Sequence, residues 1–221
     1  MSTDVPTVRV RYQTLEFDGV DIHVRSLRSK QEFLDDGVAE GLGVSPASWP
    51  LFGVVWDASQ ILAHLMMDHD IDGLRVLEVG CGLALASLIL SHRNADITAT
   101  DYNPDAGQFL TENLALNAGG GVDFERADWA DDNAELGQFD LIIGSDVLYE
   151  PDHAELLANF VARRGSPSCK VIIVDAGRGH RSKFMGKMVA HGFEAEQYKP
   201  GNQGYLDNPF KGDVLTFTRA A

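Results

Sequence analysis

From residue 57 onward, short apolar runs alternate with stretches of helical spacing, and this alternation narrows the possible folds more than any other feature. The pattern predicts a helix from Asp57 to about His69, a strand Leu74–Val79, a helix Leu83–His92, a strand Ala95–Thr100 and a helix Asp105–Asn117. Strands Val122–Arg126 and Asp140–Ser145 follow, then a helix His153–Arg164, a strand Lys170–Asp175 and a helix Lys183–His191 closed by Gly192. Asp57 is read as the cap of the first helix, with Ile61, Leu62, Leu65 and Met66 facing the core. Strands separated by helices need crossover connections, so the sheet should be parallel and covered on both faces. The last two strands, Phe193–Tyr198 and Val214–Thr218, have only a Gly/Pro/Asn loop between them and should pair antiparallel at one edge. The expected fold is an α/β, doubly wound sheet of seven strands, mostly parallel, with an antiparallel C-terminal hairpin strand.

Residues 1–56 read differently. Val8–Tyr12 and Asp21–Arg25 alternate apolar and polar residues, and Asp18-Gly19 between them is a hairpin turn signal. A short polar helix is expected over Lys30 to Glu40, then a Gly/Ser/Pro-rich link through Pro50. The predicted organisation is an N-terminal hairpin-and-helix extension, 1–56, packed on a main domain, 57–221. A chain of 221 residues suits one such domain without a metal or disulfide staple.

The formal net charge of −15 is spread along the chain, so the basic patch that a nucleic-acid footprint needs is absent. It also favours cationic partners, of which a lysine-bearing protein surface is one. No apolar run approaches the roughly 20 residues that span a bilayer, and no secretory signal pattern opens the chain. Cys81 and Cys169 lie in apolar runs with no CxxC or Cys/His spacing, which points to structural thiols in a reducing cytoplasm. His64 and His69 do not share a helix face and His153, His180 and His191 are scattered. No metal site is therefore expected, and surface or capping roles are read for those three.

The chemistry concentrates at the predicted strand ends. Leu74–Val79 runs into Gly80-Cys81-Gly82, where glycines permit a tight turn and a helix N-terminus offers unpaired N–H groups. The dinucleotide fingerprint G-x-G-x-x-G is incomplete, because position 85 is Leu. Glu78 would repel a pyrophosphate but suits the ammonium-bearing end of S-adenosylmethionine. Asp101, about 20 residues on at the next strand tip, can accept from both ribose hydroxyls. Tyr102 would then lie beside the adenine. Asp128 can accept from the adenine amino group, and Trp129 offers a flat apolar wall. Ser145 and Asp146 end the fourth strand of the main domain, where a methyl acceptor must approach in line with the leaving sulfur. Asp146 is read as holding a substrate ammonium or taking its proton, with Tyr149 adding a hydrogen bond or an aromatic face. His180, beside Arg178 and Arg181, is placed on the acceptor side. The N-terminal strands and the loop Gly201–Pro209 are expected to frame the acceptor entrance.

These residues resemble the class I, seven-strand, Rossmann-like methyltransferases, and within them the methyltransferase-like protein-lysine methyltransferases. Leu77-Glu78-Val79-Gly80-Cys81-Gly82 resembles the family's E-x-G-x-G-x-G cofactor loop, with Ala84 in place of the third glycine. Asp146-Val147-Leu148-Tyr149 resembles its D-x-x-Y, and Val55-Trp56-Asp57-Ala58-Ser59 a tryptophan motif that would put Trp56 at the cofactor's edge. The resemblance spans roughly residues 15 to 220. It implies an S-adenosylmethionine-dependent N-methyltransferase, with lysine in a protein as acceptor; relatives of this kind also modify histidine, arginine or small amines. Three other readings remain open: a small-molecule amine methyltransferase, a non-catalytic binding module on the same fold, and a nicotinamide oxidoreductase. The last is disfavoured by Leu85 and Glu78.

Overall fold

The computed structural model describes residues 9–29 and 49–220. The helix expected over 30–40, and the link after it as far as residue 48, lie outside the described residues.

Strands β1 (Val10–Phe17) and β2 (Val20–Leu27) form an antiparallel hairpin with Phe17 opposite Val20. The turn is Asp18-Gly19, both at positive φ (48° and 88°), the twist that a two-residue hairpin loop requires. Phe17, Ile22 and Val24 share one face and are buried, and Leu27 is buried at the strand end. That face joins the same apolar cluster as the first helices of the main domain.

Those helices are α1 (Asp57–Asp68), α2 (Leu85–His92) and α3 (Ala106–Leu116). Asn113 of α3 and Asn117 at its C-cap accept from the backbone N–H groups of Arg25 and His23, which locks the hairpin to the helix. Asp57 is not the cap of α1 but its first residue. The cap position is Trp56, in extended backbone, and its N–H donates to Ser59 Oγ at 3.3 Å. Asp57 instead places a carboxylate in the first turn, where the helix dipole favours it.

The main sheet has seven strands in the order β5-β4-β3-β6-β7-β9-β8. They are β3 (Arg75–Val79), β4 (Asp96–Asp101), β5 (Asp123–Arg126), β6 (Phe139–Ser145), β7 (Gly165–Asp175), β8 (Glu194–Tyr198) and β9 (Asp213–Arg219). The first five run parallel, and β9 is antiparallel to both β7 and β8. The C-terminal pair forms as expected, but the later strand lies inside. Composition explains this: Val214, Leu215 and Phe217 are fully buried, whereas β8, Glu-Ala-Glu-Gln-Tyr, suits the solvent edge. Strand residues alternate between two cores. Val76, Ile97, Leu141 and Ile143 face α1, α2 and α3. Leu77, Val79, Ile142 and Ile173 face α4 (His153–Arg164) and α5 (Arg181–Ala190). Among the described residues, no helix is long and apolar enough to cross a membrane, and no group of three metal-ligating side chains forms.

Candidate active site

After β3 the chain moves one way to β4 and β5, then returns past β3 to β6. At that reversal the loops from β3 and β6 part, leaving a crevice at the carboxyl ends of the strands. A cleft of about 840 Å³ opens there. It is lined by Trp56, Gly80, Gly82, Asp101, Tyr102, Asp128, Trp129, Ser145, Asp146 and Tyr149, all of them expected from sequence.

The glycine turn floors it. Gly80 and Gly82 have φ of +57° and +55°, and a Cβ on Gly82 would stand 2.9 Å from the carbonyl oxygen of Phe52. Backbone cannot yield there, so the turn tolerates no side chain at Gly82. Ala84 follows at φ 58°, buried, in the left-handed region that glycine adopts more readily. Asp101 ties the turn down: Oδ2 accepts from Gly82 N–H and Oδ1 from Asn103 N–H, both at 2.8 Å. Burial raises its pKa against the pull of these donors. Tyr102 N–H is a third backbone donor to this carboxylate, whose two oxygens have about four acceptor sites, so capacity remains for a hydroxyl group of a ligand.

Glu78 does not line the cleft. Strand alternation turns its side chain toward α2, where its carboxylate accepts from Ser87 N–H at 2.9 Å and Ser87 Oγ at 2.5 Å. Burial pushes its pKa up to about 7, only partly opposed by those bonds. An acid whose folded pKa lies above its unfolded value of about 4.5 keeps its proton longer when folded. Its contribution therefore lowers stability as pH rises from about 4.5 to 7, by roughly 3 kcal/mol in all. Glu78→Gln, which cannot ionise, is expected to gain Tm relative to the wild type between pH 5 and pH 8. A variant-minus-wild-type difference that stays flat across that range would contradict the assignment.

The far wall carries aromatic groups. Trp129 stands edge-on to His153 (5.3 Å between centroids), and Tyr149 packs on the other contact of the same imidazole at 4.5 Å. His153 Nδ1 lies 2.9 Å from Val147 O, so this histidine opens α4 and also braces the cleft wall. Sequence reasoning gave it only a surface or capping role; its spacing to Trp129 and Tyr149 is visible only in the fold. Asp128 Oδ1 accepts from Ala130 N–H, closing the turn that presents Trp129. The Tyr149 hydroxyl is pushed up to about 12, by burial first and then by the carboxylates of Asp101, Glu150 and Asp146. It stays a neutral donor at physiological pH. The thiol of Cys81 also touches the cleft, but burial first, then the carboxyls of Asp101 and Glu78, raise it well above its usual value, consistent with a structural role.

Asp146 has left-handed backbone, φ 52°, and donates its N–H to Val174 O at 2.8 Å. Both carboxylate oxygens are taken by Arg178, Nε to Oδ1 at 2.7 Å and Nη2 to Oδ2 at 2.5 Å. The guanidinium also sits 5.8 Å from the centre of the Trp56 ring. Arg178, and not His180, is thus the basic side chain that reaches the cleft; His180 occupies the cap position of α5 and Arg181 pairs with Asp213. The wall also includes Leu51 and Phe52, from a 3-10 turn at Trp49–Gly53 that no sequence period marks.

A family model described as lysine methyltransferase matches residues 50–191, well over half of the chain. The chain belongs to the lysine methyltransferase family. The match takes in the glycine turn, Asp101, Trp129 and the Asp146–Tyr149 run. Among individual relatives, the chain is 30% identical over 141 residues to the electron transfer flavoprotein beta subunit lysine methyltransferase of Xenopus laevis, covering 62% of this chain and 56% of that protein. It is 35% identical over 113 residues to Protein N-lysine methyltransferase METTL21A of Danio rerio, covering 46% and 51%. The chain spans about half the length of these curated relatives. The solved magnesium protoporphyrin IX methyltransferase of Synechocystis superposes with a TM-score of 0.57 at 18% identity, over 74% of this chain and 78% of that one. That likeness bears on the fold alone.

Proposed function

We propose that this chain is an S-adenosylmethionine-dependent N-methyltransferase whose acceptor is a lysine side chain of a protein. The observation that carries the reading is the meeting, in one cleft, of the Gly80–Gly82 turn with Asp101 on one side and Asp146 with Tyr149 on the other. The lysine methyltransferase family and the relatives named for protein lysine methylation support the acceptor class.

The residues present suit the donor. The glycine turn keeps left-handed backbone at the floor of the cleft, where a Cβ would strike Val147 or the Phe52 carbonyl, and Asp101 beside it offers acceptor capacity for a ribose hydroxyl. Tyr102, Asp128 and Trp129 form a wall for adenine, and Trp56 lies at the edge near Asp146. Glu78, buried behind the turn, contributes a field and holds α2 in place, without direct contact in this arrangement. The bound donor supplies an electrophilic methyl group: the lysine nitrogen forms the new N–C bond as the C–S bond breaks and its electron pair returns to sulfur. Before that, the ammonium passes its proton to the Asp146 carboxylate, which releases it to solvent. Asp146 draws the cation to the cleft and orients it, Tyr149 donates a hydrogen bond from a phenol that does not ionise, and the aromatic wall excludes water. Buried, unpaired Cys81 and Cys169 fit a reducing, cytoplasmic setting.

Thermal unfolding tests the cofactor. S-adenosylhomocysteine at about 100 times its Kd is expected to stabilise the protein by about 2.7 kcal/mol, while NAD leaves Tm unchanged. Stabilisation by NAD instead would overturn the reading. Incubation of cell lysate with the protein and a heavy-methyl donor should then mark lysines in protein bands; label confined to small molecules would exclude a protein acceptor.

A further inference from the structure

A second hollow, of about 560 Å³, adjoins the cleft. Arg11 and Arg28 of the hairpin region line it, with Asp57 and Ala58 of α1 and Phe210 of the C-terminal loop. Val54, Trp56, Asp146 and Arg178 line both cavities and so form the partition between them. The partition is shut by the Arg178–Asp146 bridge, with the guanidinium over Trp56.

Two features of this arrangement point to a ligand. First, the cationic end of Arg178 already fills a place built for a cation, a carboxylate beside an aromatic ring, and it is held there by a chain segment that packs on little. Gly177 and Gly179 flank it at φ +83° and +97°, and an added Cβ at either would meet nothing within 4 Å. Second, the hollow carries cationic charge on a chain of net charge −15. Among the described residues, the Arg11 guanidinium donates to Ser26 Oγ at 3.3 Å, and neither Arg11 nor Arg28 has a carboxylate partner.

We infer that the second hollow is the acceptor chamber and that it selects a lysine with an acidic neighbour in the substrate. The lysine ammonium takes the place of the Arg178 guanidinium on Asp146 and under Trp56. The neighbouring carboxylate pairs with Arg11 and Arg28. Arg178 is then a positioning residue that keeps Asp146 ordered until an acceptor displaces it. This rests on the proposed methyl transfer to lysine, and it adds the feature that the acceptor must present.

The test uses synthetic peptides with one central lysine, flanked by Glu in one set and by Ala in the other, with a heavy-methyl donor and mass-spectrometric readout. The wild type should favour the Glu-flanked set by about five- to tenfold in kcat/KM, the range expected of two partly exposed charge pairs, and mainly through KM. The double variant Arg11→Gln/Arg28→Gln should bring the ratio close to one, and Arg28→Lys, which keeps the charge, should retain most of it. Equal use of both sets by the wild type, or a preference that survives in the double variant, overturns the chamber assignment while methyl transfer to lysine stands. Absence of transfer to every lysine peptide overturns the lysine reading itself, and this inference with it.

Discussion

Asp146→Asn is expected to lower methyl transfer at least about 100-fold, the lower end of what a positioned acid–base or orienting group supplies, with donor affinity little changed. Asparagine is the informative choice because Asp146 has φ 52°. Asn tolerates this left-handed backbone about as well as Asp, whereas Ala at the same place adds strain. Asn still accepts one hydrogen bond from Arg178, so the partition keeps its shape while the charge that attracts an ammonium is gone. Arg178 is partly exposed, so the N–H groups that lose their carboxylate partner can turn to water without a large penalty. Single-turnover transfer to an acceptor, set beside titration of S-adenosylhomocysteine, separates the two effects. Turnover equal to the wild type would remove Asp146 from the mechanism.

Asp101→Ala should act on the other half of the cleft. Its carboxylate accepts from Gly82 N–H and Asn103 N–H at 2.8 Å each, and hydrogen bonds to charged acceptors are worth about 1.5–3 kcal/mol apiece. Losing them frees the glycine turn that floors the cleft. Losing the acceptor proposed for ribose hydroxyls would remove a further contact. Donor affinity should fall at least about 100-fold, equivalent to about 2.7 kcal/mol, and Tm should fall as well. Calorimetric titration with S-adenosylhomocysteine measures the first and thermal unfolding the second. Donor affinity unchanged from the wild type would show that Asp101 serves the turn alone.

Every described strand and α-helix of the main domain overlaps the run predicted for it, because apolar periods of 2 and 3.6 persist in strands and helices that bury one or both faces, whereas the 3-10 turn Ala134–Leu136 had no predicted counterpart. Boundaries moved where tertiary partners decided them. β7 begins at Gly165 rather than Lys170, because Phe139 of β6 pairs back to Gly165 across a register shift. Of the site residues placed at or just after strand ends, all but Glu78 reached the cleft, since β3, β4, β5 and β6 deliver their carboxyl ends to one rim. Glu78 did not, because it lies within the strand, one residue before its end, and the pleat aims it at Ser87 on the opposite side of the turn. Arg178 and His153 had no local signal: one depends on where β7 leaves the sheet, the other on how α4 starts beneath Trp129.

The sequence by itself determined that the chain builds a doubly wound sheet with a glycine turn at its switch point, because those are local matters of period and φ. It also determined which carboxylates stand at the strand tips. Only the tertiary structure decided what those carboxylates do there. Asp101 clamps the turn through Gly82, Glu78 is spent on α2, and Asp146 is already occupied by Arg178 in a partition between two cavities. The reason is that partners for a buried charge come from segments distant in sequence, and burial without such a partner is too costly for the fold to leave open.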